Sequence, residues 1–309
     1  MSIKTHEPHF HSHNKKGKSS LKLSLIRFAH SNAYIAIPIT AITLSTYMTV
    51  GEFEINFNYI FFLFFSTLFL YPLHRFIGLK LTIPVEYSQA QKAVAKKPNI
   101  TKASIIVGLI GTLFFIIQLE HEVFQILLPL ALISIAYSLP LLPTKNGWKR
   151  LRDIPGVKIY AISGVVTLTT SSLPLILLNS FNGTDIALLG IERFLFIFAI
   201  TIPFDVRDIR IDQKWNLQTI PLIAGKENAL KIAKGLVALS SLITVIHGFQ
   251  SEILNWTIVV ALLLANAWAI YIIEKFKTYN APLFNAYMME GTMVFKFALI
   301  TIAQVLITL

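Results

Sequence analysis

Long apolar runs recur along this chain and leave few folds open to it. They lie near Ala33–Val50, Tyr59–Gly78, Ala103–Gln118, Val123–Leu142, Lys158–Leu178, Ile186–Phe204, Ala229–Phe249, Ile253–Ile273 and Leu283–Ile307. An apolar stretch of about 18 residues or more is long enough to cross a bilayer as a helix. Inside lipid every backbone amide must be satisfied internally, so only helices or closed barrels cross, and runs of this length mean helices. The expectation is an all-α polytopic membrane protein of about nine transmembrane helices. Composition agrees: 54% of residues are hydrophobic and 14% charged. The third run is short, and the ninth is long enough to tilt or to emerge at the interface.

Charge sets the expected orientation. Of 27 Lys and Arg, six stand in the tail through Arg27 and six between Arg75 and Lys102. Five lie between Lys145 and Lys158, six between Arg207 and Lys234, and two at Lys275 and Lys277. The alternate connections, near Gly51–Asn56, Leu119–Glu122, Asn179–Asp185 and Gln250–Glu252, carry acids and no Lys or Arg. The positive-inside rule then puts the N-terminus in the cytoplasm and the C-terminus on the far side; a bacterial inner membrane is the expected host. It also accounts for the net charge of +11 without a nucleic-acid partner. Residues 1–23 read as a disordered basic cytoplasmic tail, with His6, His9, His11 and His13 unorganised by any carboxylate, and residues 24–309 as a single transmembrane domain. With no cysteine in the chain, disulfides and thiolate chemistry are excluded.

One polar stretch breaks the pattern: Asp205-Val206-Arg207-Asp208-Ile209-Arg210-Ile211-Asp212, in the connection after the sixth run. On a helix, acids at i, i+3 and i+7 fall within a sector of roughly 60°, with Arg207 and Arg210 pointing elsewhere. Three stacked carboxylates repel, and a hard divalent cation such as Mg²⁺ between them relieves the repulsion. A cluster of this kind, facing Lys and Arg at the mouth of an apolar bundle, suits a diphosphate headgroup with an isoprenoid tail below. The alternative is a solvated charged loop. Pro203 is placed to kink the end of the sixth span.

These residues carry a resemblance. Asp205-xx-Asp208-xxx-Asp212, followed by Thr219-Ile220-Pro221 and Gly225-Lys226, resembles the second aspartate-rich motif of the UbiA superfamily of intramembrane prenyltransferases. Tyr137-Ser138-Leu139-Pro140-Leu141-Leu142 with Asn146-Gly147-Trp148 resembles the loop after span four, and Lys97-Pro98 the Arg-Pro after the first motif. The resemblance implies a fold of nine spans and a polyprenyl diphosphate as donor. It implies Mg²⁺ on Asp205, Asp208 and Asp212 as the catalytic centre, and transfer to a lipophilic, aromatic acceptor. The first aspartate-rich motif is missing: the corresponding stretch reads Leu70-Tyr71-Pro72-Leu73-His74-Arg75-Phe76-Ile77-Gly78, and no acid occurs between Glu54 and Glu86. The family's Tyr-xxx-Lys pattern is also unmatched, because Leu141 follows Tyr137 at that spacing.

His74, Arg75, Lys97 and Lys149 are therefore candidates for direct contact with diphosphate, against a reading of His74 and Arg75 as snorkelling anchors. Lys149, Arg150 and Arg152 also read as ordinary positive-inside residues. Tyr137 and Glu290 are cavity candidates, the latter because a carboxylate two turns into a span is costly unless it faces something polar. Arg193 with Glu192 reads as a structural polar contact, and Lys296 lies on a different helix face from Glu290. Three functions compete: a prenyltransferase, a degenerate relative that binds prenyl or quinone lipids without turnover, and a secondary transporter. Against the last, the acids sit at the interface and no paired broken spans occur.

The orientation is directly testable, because the chain has no native cysteine. A single Glu252→Cys variant should react with a membrane-impermeant maleimide on intact cells, whereas Glu227→Cys should react only after permeabilisation. The reverse pattern would invert the topology.

Overall fold

The computed structural model describes residues 33–81, 94–95, 97–144, 147–179, 181–276 and 282–309. The basic tail and Glu86 lie outside the described residues. Among the described residues, ten helices carry the chain. They are α1 Ala33–Thr49, α2 Phe57–Leu81, α3 Pro98–Ile116, α4 His121–Ser138, α5 Val157–Leu178, α6 Gly183–Lys214, the one-turn α7 Ile220–Ala224, α8 Lys226–Gln250, α9 Trp256–Lys275 and α10 Pro282–Thr308. Among the described residues, eight of these are long and apolar enough to cross a membrane. The apolar α1, at 17 residues, falls just short of that length.

Neighbours in the bundle follow the chain and then close on themselves. α1 packs on α2, α2 on α4, α4 on α5, α5 on α6, α6 on α8, α8 on α9, α9 on α10, and α10 back on α1. α3 lies along α2 outside this ring. It approaches closely because Gly108 lacks a side chain: a Cβ there would stand 2.5 Å from the backbone nitrogen of Phe69. Small residues at such contacts let helix backbones meet where lipid supplies no hydrophobic drive. The outward faces are apolar, with Ile110, Phe114, Ile117 and Leu132 all exposed, as a lipid-facing surface requires.

The middle of the bundle is polar. Arg193 of α6 is buried and donates to the Ile42 carbonyl at 2.8 Å and to the hydroxyls of Ser45 and Thr46 at 3.2 Å each. Beside it Glu192 pairs with Lys296 of α10 and accepts from Ser240 of α8 at 3.0 Å. Lys296 also sits 4.0 Å from the centroid of the Phe196 ring. Glu192 and Arg193 therefore do not bond each other, although their adjacency suggested it; each is held by other helices, and Lys296 pairs with Glu192, not with Glu290 on its own helix. A π-helical turn at Leu168–Ser172 interrupts α5. Such a turn alters the backbone ladder, and its carbonyls at Thr169 and Thr170 take hydrogen bonds from Tyr59 at 2.5 Å and Thr46 at 2.7 Å. The bundle is thus cross-linked between helices by groups that would be prohibitive if unpaired.

α6 differs from the sequence expectation. It does not end near Phe204 but runs 32 residues through Pro203 and all three aspartates. At 1.5 Å per residue that is about 48 Å, well beyond the ~30 Å hydrocarbon core. Its last turns therefore stand at the lip of the bundle, still helical.

Removing one member of a fully buried ion pair costs about 3–5 kcal/mol, because the partner is left charged and dry. Lys296→Ala should therefore lower the unfolding free energy of the detergent-solubilised protein by about that much. Lys234→Ala, which breaks an exposed pair with Glu274, should change it by about 0–1 kcal/mol. Comparable losses in the two variants would contradict the scaffold described here.

Candidate functional site

The site begins in the segment between α4 and α5. After α4 the chain forms a short antiparallel hairpin, β1 Leu142–Thr144 with β2 Gly147–Lys149, in which Pro143 faces Trp148. A single 3₁₀ turn, Leu151–Asp153, follows. Asp153 closes it by accepting from the Arg150 backbone at 3.1 Å and from the Arg150 guanidinium at 2.9 and 2.8 Å. Arg150 is thereby consumed in local structure, while Arg152 is turned inward. Gly156, at φ +79°, takes the left-handed conformation that lets the chain enter α5, and Lys158 stands in its first turn.

Lys158 reaches across to α6. Its ammonium lies 2.7 Å from Oδ1 of Asp205 and 3.1 Å from Oδ2 of Asp212. Both carboxylates are almost wholly inaccessible, at 2% and 1% exposure. Asp205 and Asp212 do share a helix face, as their spacing predicts, and one lysine serves both. The shared ammonium offsets much of their mutual repulsion, which helps a helix to continue through them. Asp208 behaves differently. Arg207 does not point away but turns back and clamps Asp208 with two hydrogen bonds, at 2.8 and 2.9 Å. Arg210 is exposed.

The aspartates thus do not form a carboxylate cage. The position between Asp205 and Asp212 holds an ammonium, the third acid is engaged by a guanidinium, and no group of three His, Asp or Glu among the described residues is placed to hold a metal ion. As arranged, these side chains do not fit the divalent ion that the spacing suggests.

Next to the ion pairs is a cleft of about 150 Å³, several times the space one water needs. Its polar side is formed by Arg152, Lys158, Asp205, Gln218 and Thr219; Ile154, Ile159, Tyr160, Ile220 and Ile223 form the apolar side. Nε of Arg152 and the buried hydroxyl of Thr219 have no hydrogen-bond partner. Oδ1 of Asp205 also has none, because Lys158 approaches it off the direction of a hydrogen bond. Buried polar atoms left open cost roughly 1–3 kcal/mol each. The two open donors on the polar side of one cleft, Arg152 Nε and Thr219 Oγ1, mark it as the candidate place for a polar ligand.

Arg152 is the hub of the outer layer. It donates to Nε2 of His74, leaving Nδ1 of that ring buried and unpartnered, and lies 5.7 Å from the centroid of the Tyr137 ring. His74 and Tyr137 are themselves 5.4 Å apart. Burial works against the charge of Arg152, but Tyr137, Asp153, Asp212 and Asp208 outweigh it and raise its pKa.

Of the residues marked in the sequence, Asp205, Asp212, His74 and Tyr137 therefore converge here. Asp208 lies beside them. Arg75 stays within α2, bonded to the Tyr71 hydroxyl and stacked 4.1 Å from that ring's centroid. Lys97, exposed at the start of α3, and Lys149, exposed in the hairpin, do not line the cleft. Glu290 is buried two turns into α10 with Oε2 unpartnered, away from the cleft lining. Sequence reasoning missed Lys158 and undervalued Arg152, both of which were counted only as interface cations. A lysine at the opening of an apolar run was the available signal.

No protein-family model matches the chain, and no curated protein matches its sequence. Solved structures do. A UbiA homologue from Archaeoglobus fulgidus bound to GPP and Mg²⁺ aligns at a TM-score of 0.55 and 16% identity, over 87% of this chain and 96% of that one. A structure of the same homologue without a named ligand aligns at 0.54 and 17%, over 90% and 99%. A digeranylgeranylglyceryl phosphate synthase aligns at 0.53 and 15%, over 89% and 96%. At these identities the likeness establishes the fold: the chain has the helical architecture of the UbiA homologues along nearly its whole length.

Proposed function

We propose that this chain is an intramembrane prenyltransferase, which takes an isoprenyl group from a polyprenyl diphosphate and passes it to a lipophilic, aromatic acceptor. The observation that carries the reading is the pair of open donors, Arg152 Nε and Thr219 Oγ1, in a cleft that is cationic on one side and apolar on the other. An amphiphile with an anionic head and a greasy tail has that division. The fold supports the same reading, since one homologue with this architecture is solved with GPP and Mg²⁺.

The roles follow from the geometry. Arg152 and Lys158 would receive the diphosphate, with Thr219 donating a neutral hydrogen bond. His74 and Tyr137 hold the Arg152 guanidinium in place, and Asp205 and Asp212 hold the Lys158 ammonium. When the allylic carbon–oxygen bond breaks, its electron pair leaves with the diphosphate, where these fixed cations stabilise the growing charge. The acceptor's ring electrons form the new carbon–carbon bond, and the displaced ring proton passes to the diphosphate or to water. No step is assigned to Mg²⁺, because the aspartates are already engaged by basic side chains. The site would open at the cytoplasmic face of a bacterial inner membrane, with the N-terminus inside and the C-terminus outside. The bilayer supplies both lipids, and nucleic acid has no part.

A second reading, binding of prenyl lipids without turnover, is favoured by one observation: the acids that would hold a metal are neutralised internally. Membranes containing the protein, given radiolabelled GPP and a panel of quinone precursors, separate the two. The proposal expects a labelled lipid product, with Arg152→Ala slowing its formation by about 10²–10³-fold, the range for losing one donor to a developing anion. Retained GPP with no product across the panel would favour binding alone, and a full rate in Arg152→Ala would reject the assigned site.

A further inference from the structure

We propose that Lys158 is the resident cation of this site: its ammonium takes the place between Asp205 and Asp212 where a divalent ion would otherwise bridge them, so the diphosphate is bound there without a metal. The inference deepens the reading of the cleft as a diphosphate site and rests on it.

Three observations support it. First, the geometry is that of a bridge. One ammonium stands 2.7 Å from one carboxylate and 3.1 Å from the other, and both acids are closed to solvent. A second cation at that point would face Lys158 at close range, so a metal could enter only by displacing the ammonium from both carboxylates. Second, the remaining acid is not available, being clamped by both arms of Arg207. Third, the end of α2 adds no acid: it presents His74 and Arg75, and His74 is already bonded to Arg152. The acids of the cluster thus act as positioning residues for basic groups, and the open donor of Arg152 and the Lys158 charge lie along one cleft. Lysine, unlike a metal ion, brings a single charge on a flexible stem and three donors, enough to hold two carboxylates and still meet a phosphoryl oxygen.

Inorganic pyrophosphate and Mn²⁺ serve as probes on the full-length protein in nanodiscs. Calorimetry with excess EDTA should show pyrophosphate binding to the native protein. Lys158→Ala should weaken that binding at least tenfold, while Lys158→Arg retains most of it. Removal of the ammonium should also expose the two acids, so Lys158→Ala should acquire a Mn²⁺ site visible by electron paramagnetic resonance, which the further change Asp212→Asn removes. The native protein alone supplies a measurement that does not depend on a variant folding: it should bind pyrophosphate equally well with excess EDTA and with added Mn²⁺. Pyrophosphate binding that requires Mg²⁺ and is unchanged in Lys158→Ala overturns the resident cation while leaving the diphosphate reading intact. So does an Asp212-dependent Mn²⁺ site in the native protein. Absence of pyrophosphate binding with or without Mg²⁺ overturns both.

Discussion

An ammonium held between two buried carboxylates joins α5 to α6 at the lip of the bundle, and the rest of the site is arranged around it. Asp205 and Asp212 lie on one face of a helix, where two unneutralised charges would repel each other and resist burial. Lys158 lowers both penalties at once. It lets α6 continue past the membrane surface to Lys214, and it fixes the start of α5 against that helix. With α5 anchored, the 3₁₀ turn just before it carries Arg152 against His74 and Tyr137. The cleft is what remains between that turn, the anchored lysine and the Thr219 loop.

A second set of buried charges, halfway through the bundle, shows what distinguishes scaffold from site. Arg193 is shared among a carbonyl and several hydroxyls, and Glu192 is held by Lys296 and Ser240. This network ties α1, α6, α8 and α10 together from within. At the lip, Arg152 Nε and Thr219 Oγ1 are left without a hydrogen bond, and both residues face the same cleft. Within the bundle Arg193 also keeps its Nε without a bond, but it lines no part of that cleft, whereas the open donors at the lip stand where a ligand can reach them.

The membrane helices were legible because hydropathy over about twenty residues needs only local sequence. The shared face of Asp205 and Asp212 was legible for the same reason, since helical periodicity sets it. The end of α6 was not. A Pro followed by five charged residues in eight reads as a connection, and what keeps it helical is a lysine 54 residues distant from Asp212. Arg207 was misjudged because helical spacing gives the direction of a Cβ, not the path of a long side chain that folds back on its neighbour. Lys97 and Lys149 were plausible by charge alone, but their elements leave them facing outward. His74 and Tyr137 were found separately, and only the fold shows that both bear on Arg152.

The central claim is that an anionic headgroup seats on Arg152 and Lys158 while Lys158 stays between the aspartates. A structure of the protein in nanodiscs with a non-hydrolysable prenyl diphosphate analogue and Mg²⁺ tests it most directly. The account predicts phosphoryl oxygens within hydrogen-bond distance of Arg152 and Thr219, with the Lys158 ammonium still shared by Asp205 and Asp212. A headgroup bound elsewhere, or Lys158 swung aside with a metal ion bridging the two aspartates, would contradict it.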